Sequence, residues 1–84
     1  MNVDLSKGEE QYLKRVLEAF EEDPSEIVKT SDLANRLEVS PASVTEMLKK
    51  LAARDLITHI PYRGSRLTSQ GFNLANQVKR RQLL

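Results

Sequence analysis

The first third of the chain repeats apolar residues at the spacing of a helix. One face of this predicted helix carries Tyr12, Leu13, Val16, Leu17 and Phe20. Charged residues occupy the opposite face, so the pattern predicts an amphipathic helix with one buried side. Ser6 and Glu9 have the spacing of a capping box, in which each side chain satisfies a free backbone amide at the helix start. Pro24 ends the helix, because the residue before a proline is driven out of the helical region.

Two more helices are predicted close together in the middle of the chain. The second is short and runs from an N-cap at Thr30 or Ser31 to Leu37. The third begins at Ser40-Pro41, a serine cap followed by a proline at the first helical position, where the missing amide costs nothing. Its buried stripe consists of Val44, Met47, Leu48 and Leu51. Glu38 lies in the break between the two helices, where a left-handed backbone costs about 1 kcal/mol relative to glycine.

The pattern changes to that of strands after the third helix. Residues 56–62 are rich in strand-forming side chains, and Arg63-Gly64 supplies a turn before residues 65–68. The two segments predict a small β-hairpin, in which Pro61 places its strand at an edge or ends it early. Thr68 then caps a last helix over residues 69–84.

The order of these elements defines the expected fold. A short helix, a brief break and a second helix with small polar residues at its start form a helix-turn-helix, and a hairpin directly after it is a wing. We expect a mainly α fold with a small β-hairpin: a winged helix-turn-helix with a three-helix core, a two-stranded wing and a C-terminal helix. A chain of 84 residues accommodates one such domain, over residues 1–84.

Composition and charge narrow the class of protein. The chain has no cysteine, which excludes disulfides, thiolate catalysis and Cys-based zinc sites. The sequence shows neither a signal-peptide pattern nor a long apolar run, so we expect a cytoplasmic protein. Residues 1–28 hold eight acidic against three basic residues, whereas residues 29–84 hold ten basic against four acidic ones. The basic part of the chain is suited to phosphate groups.

The predicted geometry favours double-stranded DNA as the partner. The major groove is about 12 Å wide and admits one helix, whose exposed N-terminal residues meet base edges. Ala42, Ser43 and Thr45 are small enough for that approach, and Glu46 is able to accept from cytosine N4. Phosphates are expected to meet Lys49 and Lys50 further along the helix, Arg63 at the hairpin tip, and the hydroxyl and amide groups of Thr30 and Ser31.

Several stretches of the chain resemble a known family. They are residues 12–13, 31–34, 39–51 (VSPASVTEMLKKL), 61–64 (PYRG) and 67–71 (LTSQG), and together they span nearly the whole chain. These stretches are similar to the diphtheria toxin repressor family, which includes the manganese transport regulators. Members are metal-activated repressors whose N-terminal winged-helix domain binds palindromic operators as a dimer. The resemblance therefore implies a homodimeric repressor that acts on transcription.

The resemblance also implies positions that contact DNA. Contacts in the groove fall on Ser40, Ala42, Ser43, Thr45 and Glu46, and contacts to phosphates fall on Thr30, Ser31, Lys50 and Arg63. Glu46 stands where the diphtheria toxin repressor has a glutamine, so the preferred bases need not carry over.

The metal ligands of that family are not matched in this chain. The family places a carboxylate or methionine just before the first tyrosine, in manganese regulators an acid three residues later, and a histidine near the end of the fourth helix. This chain has Gln11, Lys14 and Gln82 there. An ammonium group cannot ligate a divalent cation at neutral pH, and glutamine is a poor replacement for imidazole. We therefore expect no manganese or iron cofactor, either in a cut-down DNA-binding domain or in a small relative that has dropped metal sensing.

Other classes of function compete with DNA binding. In a protein-interaction winged helix, the acidic first helix or the last helix with Leu83-Leu84 binds another chain, and the basic residues are dispensable. An enzyme is disfavoured, because the sequence offers no serine, histidine and acid set, no metal-ligand cluster and no glycine-rich phosphate loop. His59 is the only histidine, and we interpret it as an edge residue of a strand rather than a metal ligand.

Overall fold

Four helices and one β-hairpin follow one another in the predicted order. The computed structural model describes residues 4–24 and 27–82. The elements are α1 (Lys7–Glu22), α2 (Thr30–Leu37), α3 (Pro41–Ala53), β1 (Ile57–Ile60), β2 (Gly64–Leu67) and α4 (Ser69–Gln82). This confirms the winged helix-turn-helix. Leu83 and Leu84, which we considered as a protein contact, lie outside the described residues.

The apolar stripes of the helices meet in one core, with the start of β1 closing its side. Of the α1 stripe, Phe20 is the exception, because its side chain is 39% exposed. Phe72 on α4 is similarly 42% exposed. The residues that are fully or almost fully buried include Leu13, Val16, Leu17, Leu33, Val44, Leu48, Leu51, Leu56, Ile57 and Ala75. Across the described ranges, none of the helices combines the length and the apolarity needed to cross a membrane.

Side chains at the helix ends match the predicted caps for α1 and α3. The Glu9 amide donates to Ser6 Oγ at 3.1 Å, and the Ser6 amide donates to Glu9 Oε1 at 3.0 Å, which completes the capping box. At α3, the Ser43 amide donates to Ser40 Oγ at 3.1 Å, with Pro41 in the first turn. Glu38 ends α2 with a φ of 56°, so it adopts the left-handed backbone that the sequence position suggested.

An ion pair joins the start of α1 to the end of α3. Arg54 Nη1 donates to Glu9 Oε2 at 2.9 Å, and Arg54 Nη2 donates to the Asp4 carbonyl at 2.6 Å. Burial alone raises the pKa of a carboxyl group, but the hydrogen bonds from the Ser6 amide and the Arg54 guanidinium outweigh it. The pKa of Glu9 therefore lies below its ordinary value.

The hairpin is held against the body of the protein by the extended residues before α2. The Val28 amide donates to the Ser65 carbonyl at 2.7 Å, and the Ser65 amide donates to the Val28 carbonyl at 2.9 Å. Gly64 has a φ of 146°, and a Cβ at this position would overlap the Val28 carbonyl oxygen. Glycine is thus required for the hairpin to approach residues 27–29 this closely.

The start of α4 also packs closely against Asp55 and Leu56, the residues that lead into β1. Thr68 caps the helix as predicted: its Oγ1 accepts from the Gly71 amide at 3.0 Å and donates to the Asp55 carbonyl at 2.6 Å. Gly71 is buried, and a Cβ there would overlap the carbonyl of Leu56. The packing of α4 on the core therefore depends on glycine at position 71, which has no side chain.

Replacing Gly71 and Gly8 by alanine should have opposite effects on stability. The methyl group of Gly71→Ala meets a backbone carbonyl that cannot move aside, so we expect the free energy of unfolding to fall by about 2 kcal/mol or more. In Gly8→Ala the methyl makes ordinary contacts, at 3.7 Å to Met47 Cε and 3.8 Å to Ser6 Oγ, and alanine favours the helix by up to about 1 kcal/mol. Urea denaturation measures both. Equal stabilities for the two variants would contradict this packing of α4.

Candidate nucleic-acid interface

A groove of about 990 Å³ separates the hairpin from the helix-turn-helix. One wall is the hairpin tip, the second is the exposed side of α3, and the floor is the segment that enters α2. Its lining residues are Ile27, Lys29, Thr30, Ser31, Thr45, Lys49, His59, Pro61, Tyr62 and Arg63. Three separate parts of the chain thus direct cationic and hydroxyl side chains to one place.

The wall formed by α3 is exposed along its polar side. Val44, Leu48 and Leu51 are buried and fix the rotation of the helix. That rotation leaves Ala42, Ser43, Glu46, Lys49 and Lys50 exposed and Thr45 half-buried. Ser40 has a structural role as well, because its hydroxyl both caps the helix and donates to Ser43 Oγ at 3.0 Å. A single small-polar helix face is therefore presented to solvent.

The floor of the groove corrects one prediction. Thr30 and Ser31 were expected to cap α2, but the N-cap residue is Lys29, which makes no side-chain capping bond. The reason is the pairing of Val28 with Ser65, which keeps the chain extended through Lys29 so that Thr30 is already helical. The first backbone amides of α2 consequently receive no capping bond from the side chain of Lys29. Such amides at a helix start favour an anion.

The hairpin tip is a tight turn with an unusual residue. The Arg63 amide donates to the Ile60 carbonyl at 3.1 Å and closes a four-residue turn that contains Pro61 and Tyr62. Tyr62 has a φ of 66°, and its side chain is fully exposed. Arg63 is exposed beside it and forms the outer edge of the groove.

The predicted contact residues divide into two sets. Thr30, Ser31, Thr45, Lys49 and Arg63 line the groove itself. The others lie along the exposed side of α3 outside the groove lining, and they are Ser40, Ala42, Ser43, Glu46 and Lys50. None of these residues is buried in the core, and the two sets meet on α3, where Thr45 and Lys49 belong to the first set.

Sequence reasoning missed three polar residues of the groove, namely Lys29, His59 and Tyr62. The β-bridge that brings Lys29 here joins residues 37 positions apart, so no local pattern could have revealed it. For His59 the alternation along β1 was available as a signal, because it places His59 on the same side of the strand as Ile57 and on the opposite side from Thr58.

Ion pairs are concentrated away from the groove. Within residues 4–24 and 27–82, the carboxylates of α1 and α2 pair as Glu18–Arg15, Glu22–Arg36, Asp32–Arg36, Glu9–Arg54, Glu21–Lys79 and Glu10–Arg81. The hydrogen bonds from Arg36 lower the pKa of Glu22 and raise the pKa of Arg36 itself. By contrast, Lys29, Lys49, Lys50 and Arg63 pair with no carboxylate in the same part of the chain. Within those described ranges, no ion pair neutralises their charge.

A second, smaller groove of about 480 Å³ has an apolar character. Phe20 and Phe72 pack edge to face across it, with ring centroids 6.3 Å apart and planes at 82°. Arg66 also lines it, although it belongs to the same hairpin as Arg63. The hairpin therefore offers one arginine to each groove.

The positions at which the resemblance implies metal ligands fall on α1 and α4. Gln11 and Lys14 are half-buried on α1, and Gln82 is the last described residue of α4. Nearby, Arg81 Nη2 lies 2.7 Å from Glu10 Oε2, and Lys79 Nζ lies 2.9 Å from Glu21 Oε1. Among the described positions, no three His, Asp or Glu side chains come together in a way that could hold a metal ion.

Comparison with known proteins agrees with this geometry. Residues 4–65 match the family described as iron dependent repressor, N-terminal DNA binding domain. The chain belongs to the iron dependent repressor family. Within that family, the matched segment extends from the residues before α1 to the middle of the hairpin, so it contains the helix-turn-helix and the groove floor.

Individual relatives support the family membership. The HTH-type transcriptional regulator MntR of Shouchella clausii is 40% identical over 76 residues, which is 89% of this chain and 52% of that protein. The transcriptional regulator MntR of Escherichia coli O157:H7 is 48% identical over 50 residues, 60% of this chain and 32% of that protein. This chain thus spans about half of the first relative's length and about a third of the second's.

A solved structure shows the same fold on DNA. Lactococcus lactis ZitR in complex with DNA superposes with a TM-score of 0.75 at 25% identity, covering 99% of this chain and 56% of that one. The shared architecture extends beyond the matched family segment to α4.

Proposed function

We propose that this member of the iron dependent repressor family is a sequence-specific DNA-binding regulator of transcription. It acts as a repressor, by occupying an operator rather than by chemistry, and its place of action is the cytoplasm. The observation that carries the proposal is the groove between α3 and the hairpin. Its cations Lys29, Lys49 and Arg63 have no carboxylate partner in the described part of the protein, while six ion pairs occupy cations elsewhere.

In this proposal α3 enters the major groove of the duplex. The side chains of Ala42 and Ser43 are small and exposed, which allows the start of the helix to come close to the bases. Ser40, Thr45 and Glu46 then lie within reach of base edges, and the Glu46 carboxylate suits the amino group of cytosine. These contacts supply sequence preference.

The remaining residues bind phosphates on either side of the major groove. Lys49 and Lys50 meet the backbone further along α3, and Arg63 meets it from the hairpin. Thr30 and Ser31 offer hydroxyl groups together with the uncapped amides of α2, a combination that suits one phosphate. Such contacts fix the register of the protein on the duplex and release counterions from it.

The functional unit in the proposal is a homodimer on a palindromic operator. One recognition helix reads only a few base pairs, so useful specificity requires two half-sites about 34 Å apart.

We further propose that DNA binding by this chain needs no metal. Gln11, Lys14 and Gln82 are poor ligands for manganese or iron, and a protonated lysine repels such an ion. The ion pairs of Glu10 with Arg81 and of Glu21 with Lys79 already link α1 to α4. A bound cation is therefore not required to hold these two helices together.

Two arginines of one hairpin provide a matched test of the DNA site. Arg63→Ala should weaken DNA binding. It should also make the slope of the logarithm of the association constant against the logarithm of the salt concentration shallower by about one unit, because one phosphate contact is lost. Arg66→Ala removes the same charge from the other groove and should leave the salt dependence unchanged. Binding is measured by fluorescence anisotropy with labelled duplex DNA at several salt concentrations. Equal slopes for the two variants would count against the groove as the DNA site.

Selection of binding sites from random duplexes tests the metal independence. Carried out with manganese, with iron or with a chelator, the selection should recover the same palindromic motif with equal enrichment. Enrichment that depends on added manganese or iron would contradict the proposal and would show that this chain binds the metal despite Gln11, Lys14 and Gln82.

A further inference from the structure

The turn at the hairpin tip contains a residue that its backbone disfavours. Proline at the second position and a positive φ at the third define a type II turn, and Ile60 to Arg63 has both features. The third position of such a turn favours glycine or asparagine, because their side chains tolerate the left-handed region. This chain has Tyr62 there, with a φ of 66°.

Burial of the Tyr62 side chain does not offset the unfavourable backbone conformation. Its relative exposure is 107%, so the ring is as accessible as in an extended peptide. A large aromatic ring in a left-handed backbone and fully in water is unfavourable on both counts, and such strain often marks a functional position. Folding alone does not explain the choice of tyrosine.

The turn holds the backbone of Tyr62 in a fixed place beside the groove. Pro61 limits the backbone before it, and the bond between Arg63 and Ile60 closes the turn behind it. The hairpin is in turn fastened to residues 27–29 by the hydrogen bonds between Ser65 and Val28, next to Gly64. Tyr62 also lines the groove with Arg63, facing the space where the proposed function places the duplex.

We propose that Tyr62 is a DNA-contacting residue whose ring packs against the deoxyriboses of the minor groove next to the half-site. This inference rests on the proposed function. A phenol ring offers a flat apolar surface that the sugar edges can cover, whereas the adjacent Arg63 offers a charge to the backbone. The two neighbours therefore make different contributions: Arg63 a salt-dependent one, and Tyr62 a contribution that is independent of salt.

Variants at this position test the inference, with the duplex recovered by the selection as the probe. Tyr62→Gly and Tyr62→Asn should weaken binding by about tenfold, because the contact of the ring with the sugars is lost. The loss should be the same at about 50 and 200 mM salt, leaving the slope as in the wild type. Their melting temperatures should equal or exceed that of the wild type, since both residues suit the turn. Tyr62→Phe keeps the ring and should bind as the wild type does.

The tyrosine fluorescence of the protein provides a direct readout. The chain has two tyrosines and no tryptophan, and Tyr12 is buried in the core. Addition of the duplex should change the emission of the wild type but not that of Tyr62→Phe.

The outcomes separate this inference from the proposed function. Wild-type affinity in Tyr62→Gly and Tyr62→Asn, or a loss in Tyr62→Phe as large as theirs, would overturn the role of the ring while leaving DNA binding intact. Failure of the wild type itself to bind any duplex in a salt-dependent way would overturn the proposed function.

Discussion

A pair of backbone hydrogen bonds between Val28 and Ser65 fastens the hairpin to the helix-turn-helix, and the geometry of the groove depends on it. The same pairing keeps the chain extended through Lys29, which decides where α2 begins. Because Gly64 has no side chain, the two backbones approach closely enough for these bonds to form. One contact thus sets the floor of the groove and the position of its outer wall together. The buried stripe of α3 sets the remaining wall.

The distribution of charge gives this geometry its chemical character. The carboxylates of α1 are held by arginines and lysines of α1 to α4, and their ion pairs lie apart from the groove. Five of the eight acidic residues in positions 1–28 thus have a basic partner, while Lys29, Lys49 and Arg63 at the groove have no carboxylate partner among the described residues. A net charge of only +1 conceals this separation. Local charge, rather than net charge, makes the groove suitable for a polyanion.

Local sequence patterns were sufficient to predict the elements and most of their ends. Ser6 with Glu9, and Ser40 with Pro41, act within four residues, so their caps can be read from the chain. The start of α2 was predicted wrongly because a contact between residues 28 and 65 competes with the local capping preference of Thr30. The same distant contact explains why Lys29 was missed. The positive φ of Tyr62 could not be predicted either, since glycine or asparagine usually indicates such a backbone and the sequence has tyrosine there.

Chemical-shift mapping of the backbone amides during titration with duplex DNA tests the central claim most directly. We expect Lys29, Ser31, Thr45, Lys49 and Arg63 to shift together, because the fastened hairpin makes them one surface. The amides of Phe20, Arg66 and Phe72 should stay unchanged, since they line the other groove. Shifts confined to that apolar groove, with none at the hairpin tip or along α3, would contradict the account and favour a winged helix that binds protein.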